Sequence, residues 1–164
     1  MTDFSTSYTI LSLLDVHPQL DELFLRHQEA LLALDIVRAK ELLLSYQRAV
    51  LAHMRDEDEL ILPRFADSGA APRGSLDLLA DDHETIKRMV AQFLVRVDEV
   101  ARDPTPRAVI GLITEQAAYK DLMARHDQQE REVLYPSLDR IVATAEQRTA
   151  LAARLVDSSA PRSP

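Results

Sequence analysis

HMRDEDELILP at residues 53–63 and HDQQEREVLYP at residues 126–136 are two copies of one pattern, and their register decides how the chain folds. His126 stands 73 residues after His53, and the same step carries Glu57 onto Glu130, Glu59 onto Glu132 and Pro63 onto Pro136. It also superposes one three-residue apolar run on another, and it pairs Tyr46 with Tyr119, each seven residues before its histidine. Positions four and seven apart share one face of a helix. Each copy therefore lines up a tyrosine, an imidazole and a carboxylate, with a proline near the far end that is expected to disrupt the helix. A duplicated long helical unit is a fold-level signal, and it points to an all-α chain.

Outward from the first copy, the stripe Leu43, Tyr46, Val50, His53, Glu57 and Leu60 predicts a helix ending near Pro63. Before it, Leu20, Leu23, Phe24, His27, Leu31 and Leu34 predict a helix opened by Pro18, with a turn over Asp35 to about Lys40. ADSGAAPRGS at 66–75 reads as the linker between the halves. Leu76, Leu79, His83, Ile86, Val90, Phe93, Val97 and Val100 predict a third helix, and DPTP at 103–106 a turn. The fourth runs from Pro106 through Tyr119, Met123, His126, Glu130 and Val133 to Pro136. Thr144 with Gln147 resembles a capping box opening a short helix to about Val156. The expected organisation is an N-terminal arm at 1–17, a bundle at 18–143, and a short helix with a disordered tail at 144–164.

In an up-down bundle, two residues at one level flank a turn near their sequence midpoint. His83 and His126 average to about 104, within DPTP, and His53 and His83 to 68, within the linker. His27 and His53 average to 40, a few residues past the middle of the expected turn. Four antiparallel helices joined this way form an up-down-up-down four-helix bundle with its histidines at one depth.

Composition bounds the function. With 164 residues the chain fits one domain, and without a cysteine it has neither disulfides nor thiolate metal sites. Lack of cysteine suits a reducing cytoplasm, and neither a secretory leader nor a run of about 18 apolar residues is visible. The net charge of -8, with no basic cluster, argues against nucleic acid.

Taken singly, each histidine reads as a satisfied core or boundary residue. Together, His27, His53, Glu57, His83, His126 and Glu130 put six polar groups on apolar stripes. Burying them unpaired would cost about 1 to 3 kcal/mol each, against a domain stability of about 5 to 15 kcal/mol. Divalent metals compensate neutral imidazoles and ionised carboxylates together, and four His with two Glu suit two metals bridged by both carboxylates. His17 precedes a proline and reads as a cap or surface residue, with a lesser reading as a ligand. Tyr46 and Tyr119 read equally as core or as lining of an access cavity. Asp82 and Glu84 are candidate acceptors for imidazole N–H groups, whereas Glu59 and Glu132 point to solvent.

RHQEALLALD around His27, HMRDE at 53–57, DDHETIK around His83 and HDQQE at 126–130 resemble the hemerythrin-like, or HHE, cation-binding family, over roughly residues 18–140. The resemblance implies two iron ions in a non-haem di-iron centre, carboxylate-bridged by Glu57 and Glu130, with oxygen or nitric oxide as the small diatomic partner. The oxygen carriers of that family have H-x3-H on the third helix and H-x4-D on the fourth; Lys87 and Arg131 stand at those second positions here. The more symmetric set resembles the family's iron-sensing domains and its di-iron proteins of iron-sulfur repair and nitric-oxide handling. The expected function is thus reaction with, or sensing of, oxygen, nitric oxide or iron; the alternatives are a di-iron redox enzyme and a metal-free helical interaction module. The sequence names no protein partner and no catalytic residue.

Overall fold

The computed structural model describes residues 16–69 and 71–141. The helix expected from Thr144 lies outside the described residues, as does the N-terminal arm apart from Val16 and His17, which open the first helix. The elements are α1 (Val16–Leu32), α2 (Ile36–Asp56), α3 (Leu62–Asp67), α4 (Ser75–Arg102), α5 (Pro106–Gln129) and α6 (Tyr135–Ile141). A single π turn joins α2 to α3 at Glu57–Ile61, and a second joins α5 to α6 at Glu130–Leu134. The four long helices form a closed four-helix bundle in which α1 packs on α2 and α5, and α4 packs on the same two. No described helix is long and apolar enough to cross a membrane.

The turns follow local chemistry. Leu34 sits between α1 and α2 with φ 58°, a left-handed residue where glycine is usual. Its N–H bonds Leu31 O at 2.9 Å and the Asp35 N–H bonds Ala30 O at 3.0 Å, a Schellman closure of α1. Asp35 then caps α2 by accepting from the Arg38 N–H at 3.0 Å. The turn is therefore complete at Asp35, earlier than the expected span to Lys40. Thr105 caps α5 by accepting from the Ala108 N–H, with Pro106 in the first turn. Gly74, at φ 81°, turns the linker into α4.

Both prolines depart from expectation, because the chain stays helical beyond Pro63 and Pro136. A proline brings its ring against the carbonyl four residues back and removes a donor. The π turn ahead of each is one means by which a helix absorbs such a break. It also moves the apolar stripe on by one residue: Ile61 and Leu134 are buried, whereas the expected Leu60 and Val133 are only half-buried.

The core divides into two apolar layers. The larger, with Leu31, Leu43, Val97 and Leu112, fills the bundle towards the α1–α2 turn. The smaller, with Ile61, Phe65, Leu79, Leu134, Tyr135 and Leu138, is built by the ends of the two π turns, α3, α6 and the start of α4. Between them lies a layer of buried histidines and glutamates.

Candidate metal centre

The layer draws on every long helix. His17 comes from the first turn of α1, His53 from the last turn of α2, His83 from α4 and His126 from the last turn of α5. Glu57 and Glu130 are the first residues of the two π turns, so each is aimed inward one turn beyond its histidine. Both carboxylates are buried, Glu57 to 1% and Glu130 to 0% exposure.

Two groups of ligating atoms result, Glu57 with His83, His126 and Glu130, and His17 with His53 and Glu130. Glu130 belongs to both groups. Its Oε1 lies 2.7 Å from His126 Nε2 and its Oε2 lies 3.0 Å from His17 Nε2. Glu57 lies between His83, whose Nε2 is 3.4 Å from Oε2, and His53, whose Nε2 is 3.5 Å from Oε1. The Nε2 atoms of His17 and His53 face each other at 3.0 Å.

Outside this layer, carboxylates lie beside the opposite ring edges, and that of Asp58 is hydrogen-bonded to its ring. His83 donates its Nδ1–H to Asp58 at 2.7 Å. Asp127 lies 2.8 Å from His17 Nδ1, and Asp82 lies 3.5 Å from His126 Nδ1. Each acid is in turn next to a cation: Lys87 at 3.7 Å from Asp58, Arg131 at 2.9 Å from Asp127, and Arg125 at 2.8 Å from Asp82. Such carboxylate–imidazole pairs fix the ring and the tautomer of metal-binding histidines. Asp82 lies beside the His126 ring but makes no hydrogen bond with it, its Oδ1 accepting from Arg125 instead, and Glu84 is exposed and bonds Lys87 at 2.8 Å. Among the described residues, Lys87 pairs with Asp58 and Arg131 with Asp127, the acids beside His83 and His17.

This arrangement calls for a cation. When neutral, with its proton on Nδ1 towards Asp58, His83 turns a bare lone pair on Nε2 towards the lone pairs of Glu57. Among the described residues, His83 Nε2, His126 Nε2, Glu57 Oε2 and both Glu130 oxygens are buried without a hydrogen-bond partner. Opposed acceptors of this kind are expensive to bury unless positive charge lies between them. Burial acts to lower the pKa values of His17, His83 and His126, but the facing carboxylates outweigh it and raise all three. Burial likewise pushes the Glu130 carboxyl up, and His126 and His17 more than reverse this, holding it below the usual carboxylate range. Neutral imidazole nitrogens and ionised carboxylates are a donor set that suits a divalent metal.

The model of the hemerythrin HHE cation binding domain matches residues 10–138. The chain belongs to this family. Comparison with curated proteins and with solved structures gave no match.

Of the expected ligands, the fold of this hemerythrin-family chain brings together His53, Glu57, His83, His126 and Glu130. It does not bring His27. That ring lies within the larger apolar layer, where its Nδ1–H donates to Ala39 O at 2.8 Å and its Nε2 accepts from Gln116 at 2.9 Å. Both nitrogens are used, and burial, partly offset by the Ala39 carbonyl, lowers its pKa. His17, read from sequence as a cap or surface residue, stands in its place with 3% exposure. Tyr135 was missed altogether, although its hydroxyl donates to Glu57 Oε1 at 2.5 Å. Burial and then Glu57 raise its pKa well above the ordinary tyrosine value, so it faces Glu57 as a donor. Tyr46 and Tyr119 share a hydrogen bond of 2.5 Å in the core, and both also border a cavity of about 440 Å³ lined by α1 and α5, with His17 in its wall. Glu59 and Glu132 are exposed, as expected.

Proposed function

We propose that the chain is a non-haem di-iron protein in which two iron ions are held by His17, His53, His83, His126, Glu57 and Glu130. The observation that carries this is the pair of ligand groups sharing Glu130, with lone pairs opposed across a buried layer. His83, His126, Glu57 and Glu130 would hold one metal, and His17, His53 and Glu130 the other. When bound, a ferrous pair supplies electrons and open coordination positions to oxygen or nitric oxide. The protein's own contribution is to orient the imidazoles through Asp58, Asp82 and Asp127, and to exclude bulk water with the apolar layers on either side.

The experiment is metal analysis after expression in iron-replete cells, followed by anaerobic ferrous titration. Two metals per chain are expected. A stoichiometry well below one would overturn the reading in favour of a helical module without a metal. Following the visible spectrum of the reduced, loaded protein through cycles of oxygen and inert gas then tests the chemistry. A change that persists until reductant is added supports reaction or sensing, and one that reverses under inert gas supports carriage. A cytoplasmic location belongs to the same proposal, supported by the lack of cysteine in the chain.

A further inference from the structure

The cavity of about 440 Å³ between α1 and α5 has the size of a small-molecule site, and α1 packs less closely on α5 than on α2. Asp21, Leu25 and Lys120 are exposed at its rim, and Leu20, Phe24 and Met123 make its wall apolar. Two polar features interrupt that wall, and each has hydrogen-bonding capacity left over.

The first is Gln28, 8% exposed, whose amide is oriented from a distant backbone carbonyl. Ala39 O can only accept, so the His27 proton sits on Nδ1 and Nε2 is an acceptor. Gln116 must then offer His27 its Nε2–H, at 2.9 Å, which turns Gln116 Oε1 towards Gln28. Gln28 in turn donates its Nε2–H to that oxygen at 3.0 Å, and its own Oε1 accepts from none of the described residues. His27, which takes no part in the metal layer, thus fixes the polarity of a chain that ends in an open acceptor at the cavity. The second feature is the pair Tyr46 and Tyr119, which also borders the cavity. Two hydroxyls bonded to each other at 2.5 Å spend one proton between them, and the other O–H has no acceptor among the described residues. Burial pushes both phenols above the ordinary tyrosine range, so both protons are kept. Buried donors and acceptors in this state are costly unless an occupant completes them.

We infer that this cavity is a binding site for a small uncharged phenol, its ring against the apolar wall and its hydroxyl donating to Gln28 Oε1 and accepting from the tyrosine pair. One hydroxyl group meets both needs. Asp21 and Asp127 on the wall, against Lys120, disfavour an anion, and the apolar wall offers water few partners. The ligand would lie beside His17, but the assignment stands without the two-metal reading.

Phenol and toluene are the probes, because they match in size and differ by a hydroxyl in place of a methyl group. A merely apolar cavity prefers toluene, since phenol must give up water to enter it. Titration of the protein as isolated, followed by NMR, should show phenol bound about 10-fold tighter than toluene, the scale of one hydrogen bond, with contacts from its ring to Phe24 and Met123. The same preference is expected after chelation. Gln28→Leu keeps an aliphatic side chain of similar size and should abolish the preference while toluene still binds. Tighter binding of toluene to the wild type, no saturable binding of phenol, or ring contacts elsewhere would overturn the inference, and none of these needs a variant that folds. A visible phenolate-to-iron band would do the same, by placing the phenol on a metal. An undiminished preference in folded Gln28→Leu would show that Gln28 is not the acceptor and overturn it as well.

Discussion

His27 and His83 both lie on apolar helix stripes, both are shielded from solvent, and both are one turn or less from other polar side chains, yet the structure treats them in opposite ways. His27 closes a chain: Gln28 donates to Gln116 Oε1 at 3.0 Å, Gln116 donates to His27, and His27 donates to Ala39 O. Each strong partner is used. His83 also has one nitrogen satisfied, by Asp58, but its other nitrogen meets a carboxylate with no proton between them unless one is added. The signs of their pKa shifts differ accordingly, down for His27 and up for His83. Burial alone therefore does not single out a candidate ligand. What singles it out is a lone pair left over after the partners have been assigned.

The sharpest way to break this comparison is to remove the side chain that both ligand groups share. Glu130→Ala should reduce metal content from two per chain towards none, measured by elemental analysis. Metal present at about 100 times its dissociation constant adds about 2.7 kcal/mol of stability per site. For a chain of this size, loss of one such contribution lowers the melting temperature by about 5 to 10 °C. Calorimetry of the as-isolated protein should show at least that drop. Unchanged metal content would mean that the opposed lone pairs are not the site.

Exchanging the two histidines of α1 sharpens the contrast further. His17→Ala should lose metal, with the position formed by His17, His53 and Glu130 emptying first. His27→Ala should keep both metals and still lose about 2 to 4 kcal/mol, because it opens a cavity and strands Gln116 and the Ala39 carbonyl. That loss should be the same with and without chelator, whereas the His17→Ala loss should disappear in chelator. Denaturant melts of both variants in both conditions check it, and loss of metal from His27→Ala would return that residue to the site.

Most of the bundle was legible in the sequence, because 3-4 periodicity and the 73-residue repeat act over whole helices. The error at His27 has a local cause. The α1–α2 turn carries neither glycine nor proline, since Leu34 itself takes the left-handed conformation, so the turn was placed too late. With the turn ending at Asp35, the midpoint test favours His17, because His17 and His53 average to 35. The π turns were hidden for another reason: the apolar run after each glutamate satisfies either register, and only the proline six residues beyond Glu57 and Glu130 marks the break. Tyr135 bonds a residue 78 positions away, and no spacing rule reaches that far. Its one trace in the sequence is a lapse of the repeat, tyrosine against Leu62.

The smallest effect tests the same contrast by pH. His27 has a folded pKa below the ordinary histidine value of 6.5, and its neighbours are uncharged: the Ala39 carbonyl, Gln116 and the tilted Phe24 ring. Below pH 6.5 the unfolded chain takes up a proton that the folded one refuses, so the unfolded state binds more protons and stability rises with pH in that window. The contribution is complete above 6.5 and is lost as pH falls towards the folded pKa, at no more than about 1.4 kcal/mol per pH unit for one proton. His17, His83 and His126 have raised values and contribute with the opposite sign, so the effect is read as a difference between two chains. His27→Gln keeps a donor and an acceptor at the site but cannot protonate, and the remaining groups are common to both chains. The stability difference between wild type and His27→Gln should therefore shift against the wild type as pH is lowered from about 6.5 to 5. A difference that stays constant over that range would show that His27 exchanges protons equally well in both states, and that its closed set of hydrogen bonds does not hold it neutral.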